Sequence, residues 1–242
     1  MLQTITIDRL GEALAAHSER MVSLVGGGGK TTALFALGRQ LTGTVVLSTT
    51  TKMGSDRTGG HRPTLDPSEA ELASVLASDR VALVWKGIED HRAIGFSPEE
   101  CAGFAALADH VVLEADGSRR KPFKAPAVHE PVVPSSTTLL VACVGAGAFD
   151  APIDAVCHRP ELVASIARCA PIDPLDPVRL AAVLASGHGS RKDCPDGARF
   201  VVLLNQVTVR HADFVDRLDR ALGGAVAIVA VEPFAPGDSP ED

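Results

Sequence analysis

Along the chain, short runs of Val, Leu, Ile and Ala alternate with stretches in which apolar positions recur every three or four residues. The runs at 21–25, 44–48, 81–85, 110–114, 138–144, 200–205 and 225–231 are apolar at nearly every position. A strand that is apolar on successive residues is buried on both faces, so these runs predict a mostly parallel sheet covered by helices. Helix starts are marked as clearly. Ser68 with Glu71 and Ser97 with Glu100 each form a capping-box pattern, the second with Pro98 at the first helical position, and Asp176-Pro177 opens another helix in the same way.

Strand and helix alternate with no repeat, low-complexity tract or linker, which predicts one α/β domain over residues 1–242. A chain of this size buries roughly 70–75% of its unfolded surface and needs no staples. Two irregular stretches, 51–67 and 117–136, are long enough to be functional loops. The tail at 233–242, rich in Pro, Gly and acid, is expected to fray.

Charge and cysteine usage narrow the class. With 23 basic and 30 acidic residues the net charge is −7, which argues against a nucleic-acid or acidic-membrane binder and makes any basic cluster a local feature. Cys101, Cys143, Cys157, Cys169 and Cys194 are odd in number and lack C-x-x-C spacing, so reduced structural thiols are expected. The N-terminus carries Asp8, Arg9 and Glu12 and no apolar run approaches 18 residues, which predicts a cytoplasmic protein without a signal peptide or membrane span.

The chemistry starts after the first of the apolar runs, where Gly26, Gly27, Gly28 and Gly29 precede Lys30, Thr31 and Thr32. Anionic phosphate oxygens need several backbone N–H groups aimed at one point, and consecutive glycines let the backbone wrap that closely. A helix predicted over 30–41 adds unpaired N–H groups and its positive dipole end. Lys30 would reach the β and γ phosphates, the Thr31 hydroxyl would be a ligand for Mg²⁺, and Thr32 would pack or cap beside it. The usual G-x-x-x-x-G-K-[ST] pattern needs a glycine where Leu24 stands. The variant K-G-G-x-G-K-T-T of certain dimeric ATPases fits better, except that Val25 replaces its signature lysine. A three-layer α/β fold like that of the P-loop NTPases, a mostly parallel sheet flanked by helices, is therefore expected.

The run at 110–114 ends in Glu114-Ala115-Asp116, the position at which nucleotide hydrolases keep the carboxylate that holds Mg²⁺. Period-two geometry puts Glu114 and Asp116 on one face, so one could serve the metal while the other orients an attacking water. Ser48, Thr49, Thr50, Thr51 and Lys52 follow the second run, a turn suited to facing the γ phosphate or metal, with Lys52 as a charge contact. Next come Arg119, Arg120, Lys121 and Lys124 among prolines, a candidate anion site beside the acids, where Arg119 or Arg120 could neutralise transferring phosphate or bind a second anion.

Other motifs are weaker. Gly145-Ala146-Gly147 has the start of a dinucleotide turn, but Asp150-Ala151-Pro152 interrupts it, and no dinucleotide site is expected. His158 and His188 read as structural. Asn205-Gln206-Val207-Thr208 stands where guanine-binding proteins carry N-K-x-D. It lacks the acceptor that selects guanine, although Asn205 could still touch a base.

Taken together, 25–32 (VGGGGKTT), 48–52 (STTTK), 114–126 (EADGSRRKPFKAP) and 129–134 (HEPVVP) resemble the family of the selenium-dependent hydroxylase accessory protein YqeC. Val144-Gly145, 158–161 (HRPE) and 204–206 (LNQ) extend the resemblance over most of the chain after residue 20. It implies a P-loop nucleotide hydrolase linked to maturation of molybdenum-containing hydroxylases, some of which need a labile selenium. The expectation is thus a Mg²⁺-dependent NTPase, ATP favoured over GTP. Lys30, Glu114, Asp116 and Arg119 would be catalytic, with Thr31, Glu114 and Asp116 around the metal. Residues 26–32, Thr50, Lys52, Arg120, Lys124 and Asn205 would hold the nucleotide or a second anion. A molybdenum cofactor species or a molybdenum hydroxylase would be the partner, and the chain could be an oligomer. A non-catalytic carrier of a phosphorylated cofactor, or a phosphoryl or nucleotidyl transferase, are the alternatives.

Overall fold

The computed structural model describes residues 3–233. In chain order its strands are β1 (Thr4–Ile5), β2 (Met21–Gly26), β3 (Val45–Thr49), β4 (Lys52–Gly54), β5 (Thr64–Leu65), β6 (Val81–Trp85) and β7 (Gly87–Glu89). They continue with β8 (Arg92–Ile94), β9 (His110–Glu114), β10 (Phe123–Lys124), β11 (Leu139–Gly145), β12 (Cys157–His158), β13 (Arg199–Asn205) and β14 (Ala227–Val231). The helices are α1 (Leu10–Ala13), α2 (Lys30–Gln40), α3 (Glu69–Ser78), α4 (Pro98–Phe104), α5 (Ile153–Val156), α6 (Pro160–Ala167), α7 (Pro177–Ala185) and α8 (Ala212–Ala221).

Nine strands form one sheet in the order β1-β14-β13-β11-β2-β9-β3-β6-β5. Every neighbouring pair in it is parallel. All seven apolar runs are strands of this sheet, with ends displaced by at most two residues. The outermost β1 and β5 are two residues each, too short for a hydrophobic period to announce them. The stretches expected to be irregular also carry pairing. Strand β4 from the first joins β8 and β7 in a small antiparallel sheet, and β10 from the second pairs with β12. The tail after residue 233 lies outside the described residues.

Alternation along each strand builds three layers. Leu139, Val141 and Cys143 of β11 join the core under α1 and α2, with Val22, Leu24, Val45 and Leu47. Leu140, Ala142 and Val144 face the opposite core, where α7 and α8 contribute Leu180, Leu184, Phe214 and Leu218. Farther along that second face, Val46, Val111 and Leu113 pack against Leu72 and Leu76 of α3 and Cys101 and Phe104 of α4. Each fully buried aliphatic side chain is worth about 1.5–3 kcal/mol, so this two-faced burial carries most of the fold's stability. The helix starts follow the sequence signals. Ser68 Oγ accepts from Glu71 N at 3.3 Å while Glu71 Oε2 accepts from Ser68 N at 2.8 Å, Ser97 and Glu100 repeat the exchange, and Asp176 Oδ1 caps α7 through Arg179 N at 2.9 Å.

What matters for function is the adjacency of β2, β9 and β3. Glu114 pairs with Leu24 on one side and Thr49 on the other, so the loops leaving the carboxyl ends of these strands converge. Open parallel sheets bind ligands in the crevice at that end. Among the described residues, no helix is long and apolar enough to cross a membrane.

Candidate functional site

The glycine loop joins β2 to α2, and each glycine answers to a different neighbour. A Cβ on Gly26 would stand 2.5 Å from the Cys143 carbonyl oxygen, and one on Gly27 would stand 2.5 Å from that of Lys121. On Gly28 it would be 2.4 Å from Gly145 N, and on Gly29 2.6 Å from Asn205 Nδ2. Gly28 and Gly29 also take positive φ, +71° and +104°, open to glycine at little cost. The loop is therefore wedged between the 121–123 segment, the end of β11 and the end of β13. Its N–H groups divide in two: Gly26 N–H donates to Asp116 Oδ1 and Oδ2 at 3.1 and 3.0 Å and Gly27 N–H to Cys143 O at 3.0 Å. Residues 28–31, at the N-terminus of α2, line the cleft.

Lys30 is 5% exposed, and its Nζ donates to Gly26 O at 2.5 Å and lies 3.2 Å from Asp116 Oδ1. Burial pushes its pKa down, but the Asp116 and Glu114 carboxylates push harder and raise it above the usual lysine value, so the side chain is firmly cationic. Asp116, 2% exposed, also meets Lys124 Nζ at 3.2 Å. Lys124, 1% exposed, goes on to Gly117 O at 2.7 Å and Glu130 Oε2 at 2.6 Å, and Glu130 Oε2 accepts from Arg159 Nη1 at 2.6 Å. Burial would push the Glu130 carboxyl up, but the bonds from Arg159 and Lys124 outweigh it and hold its pKa at about 2. A continuous ionic chain thus runs from the glycine loop through Asp116, Lys124 and Glu130 to Arg159.

Thr31 and Glu114 form a second contact. Thr31 Oγ1 donates to Glu114 Oε1 at 2.5 Å, and both residues line the cleft. A hydroxyl and a carboxylate are the hard oxygen donors that suit Mg²⁺, which is commonly held by one or two carboxylates together with substrate phosphates. Among the described residues, no group of three or more His, Cys, Asp or Glu able to hold a metal is present.

The cleft measures about 590 Å³. Seven lysines and arginines line it against three carboxylates, a cationic surface on an acidic chain. Of the residues singled out in the sequence, Gly28, Gly29, Lys30, Thr31, Lys52, Glu114, Arg119 and Arg120 line it. Gly26, Gly27, Thr32, Thr50, Asp116, Lys124 and Asn205 stand behind it. Glu114 and Asp116 do not share one open face: β9 ends at Glu114, and Asp116 turns to the two buried lysines, whose charge it neutralises. Thr50 Oγ1 donates to Val132 O at 2.7 Å, tying down the 117–136 stretch. Asn205 Nδ2 donates to Gly28 O at 2.8 Å, bracing the loop. Lys52 Nζ pairs with Glu89 at 3.3 Å near the surface.

Arg57 and Arg92 line the cleft without a motif of their own, since residues isolated in sequence meet only through β4 and β8, while His158, read from sequence as structural and lying in the 158–161 segment of the family resemblance, lines it as well. Glu130 and Arg159 did lie within segments carrying the family resemblance, but nothing in their spacing foretold that they pair. The five cysteines are free thiols, and burial pushes Cys101, Cys143 and Cys157 up to about 12, so they pack rather than react.

A glycine loop at the carboxyl end of a central parallel strand, a Lys-Thr pair opening the next helix and a carboxylate closing the adjacent strand define a P-loop-like α/β protein. The sequence model of the YqeC protein family matches residues 22–161, a span that contains every residue lining the cleft. The chain is also 32% identical over 196 residues to the uncharacterized protein YqeC of Escherichia coli (strain K12), covering 77% of this chain and 75% of that protein. It belongs to the YqeC family.

Proposed function

We propose that this protein is a Mg²⁺-dependent nucleoside triphosphatase. The observation that carries the reading is the pair of contacts at the start of α2: Lys30 Nζ held between Gly26 O and Asp116, and Thr31 Oγ1 on Glu114 Oε1. A lysine and a hydroxyl on adjacent residues, each engaging a different carboxylate at the rim of a cationic cleft, separate a phosphate contact from a metal contact.

The roles divide accordingly. Lys30 exchanges the Gly26 carbonyl for β and γ phosphate oxygens. The N-terminal N–H groups of α2 and its dipole add to the anion site. Thr31 and Glu114 would hold Mg²⁺, which would supply positive charge beside the phosphates. Asp116 keeps Lys30 and Gly26 in place, a positioning role in place of the metal role expected from sequence. Asn205 braces Gly28 O through its Nδ2. On the family resemblance, we assign the turnover to maturation of molybdenum-containing hydroxylases.

Equilibrium titration with non-hydrolysable ATP and GTP analogues, with and without Mg²⁺, tests the reading. Saturable binding that tightens with Mg²⁺ is expected, and the absence of binding to either analogue contradicts it.

A further inference from the structure

The glycine loop occupies one end of the cleft. The remaining walls come from residues that follow β3 and β9, from the small β4-β8-β7 sheet and from β12 and the residue after it. No cleft-lining residue comes from β11, β13 or β14, on the other flank of β2. The open volume therefore spreads from the loop past Glu114, the side from which a second reactant would meet the end of a bound triphosphate.

Two arginines on that wall are placed in an unusual way. Arg119 and Arg120 have φ of +50° and +62°, and Lys121 N–H donates to Ser118 O at 3.0 Å. This is a turn with both central residues left-handed, a conformation dominated by Gly, Asn and Asp. Arginine at both positions works against the local backbone preference, a strain of the kind that clusters at ligand-binding sites. Both line the cleft and are exposed, and neither makes a hydrogen bond or ion pair among the described residues. Arg159, on the same cleft, is left-handed as well, at +60°, and is tied to Glu130. The local field is positive: burial together with Arg159, Lys124 and Arg119 holds the His158 imidazole below its ordinary pKa.

We infer that the cleft takes a second ligand beside the nucleotide, a small phosphate-bearing molecule whose phosphate is gripped by Arg119 and Arg120. Planar guanidinium groups suit phosphate oxygens, and two unpaired ones on adjacent residues suit a dianion better than a carboxylate. The inference rests on the nucleotide reading, because the loop end must be filled for the second ligand to be distinct.

Equilibrium dialysis with labelled inorganic phosphate on protein saturated with a Mg²⁺-bound, non-hydrolysable ATP analogue tests it. Failure of the analogue to bind appears before phosphate is added and removes both readings. With the analogue bound, one phosphate per chain is expected, with affinity falling as salt rises. The informative variant replaces the turn by its preferred residues, Arg119→Asn with Arg120→Gly, and is checked for analogue saturation in its own titration. It should unfold at a higher temperature and bind phosphate at least tenfold more weakly. Absence of phosphate binding to the loaded parent shows that the arginines serve only the nucleotide and overturns the inference. Unchanged phosphate affinity in the variant overturns it too.

Discussion

Lys30 Nζ lies 3.2 Å from Asp116 Oδ1, and both side chains are almost completely buried. The lysine that would grip phosphate is thus already charged, neutralised and aimed, with the loop's own Gly26 carbonyl as the partner to be exchanged. Charge-assisted contacts of this kind are worth about 1.5–3 kcal/mol. Lys30→Ala should therefore weaken nucleotide binding roughly ten- to a hundredfold, each 1.4 kcal/mol being about a factor of ten. Calorimetric titration checks this, and a parent-like affinity would remove Lys30 from the site.

The two acids should respond in opposite ways. Asp116 neutralises Lys30 and Lys124 inside the protein, and removing one partner of a buried pair costs about 3–5 kcal/mol. Asp116→Asn should therefore lower the denaturation midpoint strongly. Glu114→Gln keeps an oxygen for Thr31, so it should fold normally and lose function instead. If denaturant titrations show the two variants equally stable, the positioning role of Asp116 fails.

Much of this division was readable in the sequence and part was not. Seven strands announced themselves because a strand covered on both faces must be apolar at nearly every position. The caps at Ser68, Ser97 and Asp176 were legible because their partners are three residues away. Glu114 and Asp116, two residues apart, could not be separated by spacing, because what divides them is the position of Lys124 and Gly26 in space. Arg57 and Arg92 carried no signal because β4 and β8, which bring them to the cleft, are three residues each. The glycines were legible as a loop. Their contacts with Lys121, Gly145 and Asn205 are long-range and were not.

Loop packing gives a third prediction. A Cβ at position 27 would stand 2.5 Å from Lys121 O and 2.9 Å from Phe123 N, both backbone atoms that cannot swing aside. Gly27→Ala should cost about 1–3 kcal/mol, the usual range for overpacking, and lower the thermal midpoint. Asn205→Ala, which removes the brace on Gly28 O, should cost about 0.5–1.5 kcal/mol. Thermal melts of both variants check the order, and a Gly27→Ala protein as stable as the parent contradicts the wedged loop.

Acid stability should carry the mark of Glu130. Its carboxyl titrates at about 2 in the folded chain against an ordinary 4.5, so the unfolded state binds the extra proton between these values. The stabilisation is complete above about pH 4.5 and is lost as pH falls toward 2. Glu130→Gln should flatten the fall in stability over that window, leaving a difference from the parent that shrinks as pH drops. Urea titrations from pH 5 to about pH 2.5 measure it. A parent-like slope in the variant contradicts the pairing with Arg159 and Lys124.

The central claim is hydrolysis at the junction of Thr31 and Glu114, and release of inorganic phosphate from Mg²⁺-bound ATP and GTP by the parent and by Glu114→Gln tests it most directly. A positioned side chain that moves a proton in the transition state typically contributes about 10²–10⁴ in rate. Of Glu114 and Asp116, Glu114 is the carboxylate left on the cleft to serve metal or water. The account predicts multiple turnovers by the parent, a fall of at least about a hundredfold in the variant, and nucleotide binding retained by both. A parent that binds nucleotide without turnover, or a Glu114→Gln protein that turns over at the parent rate, would contradict it.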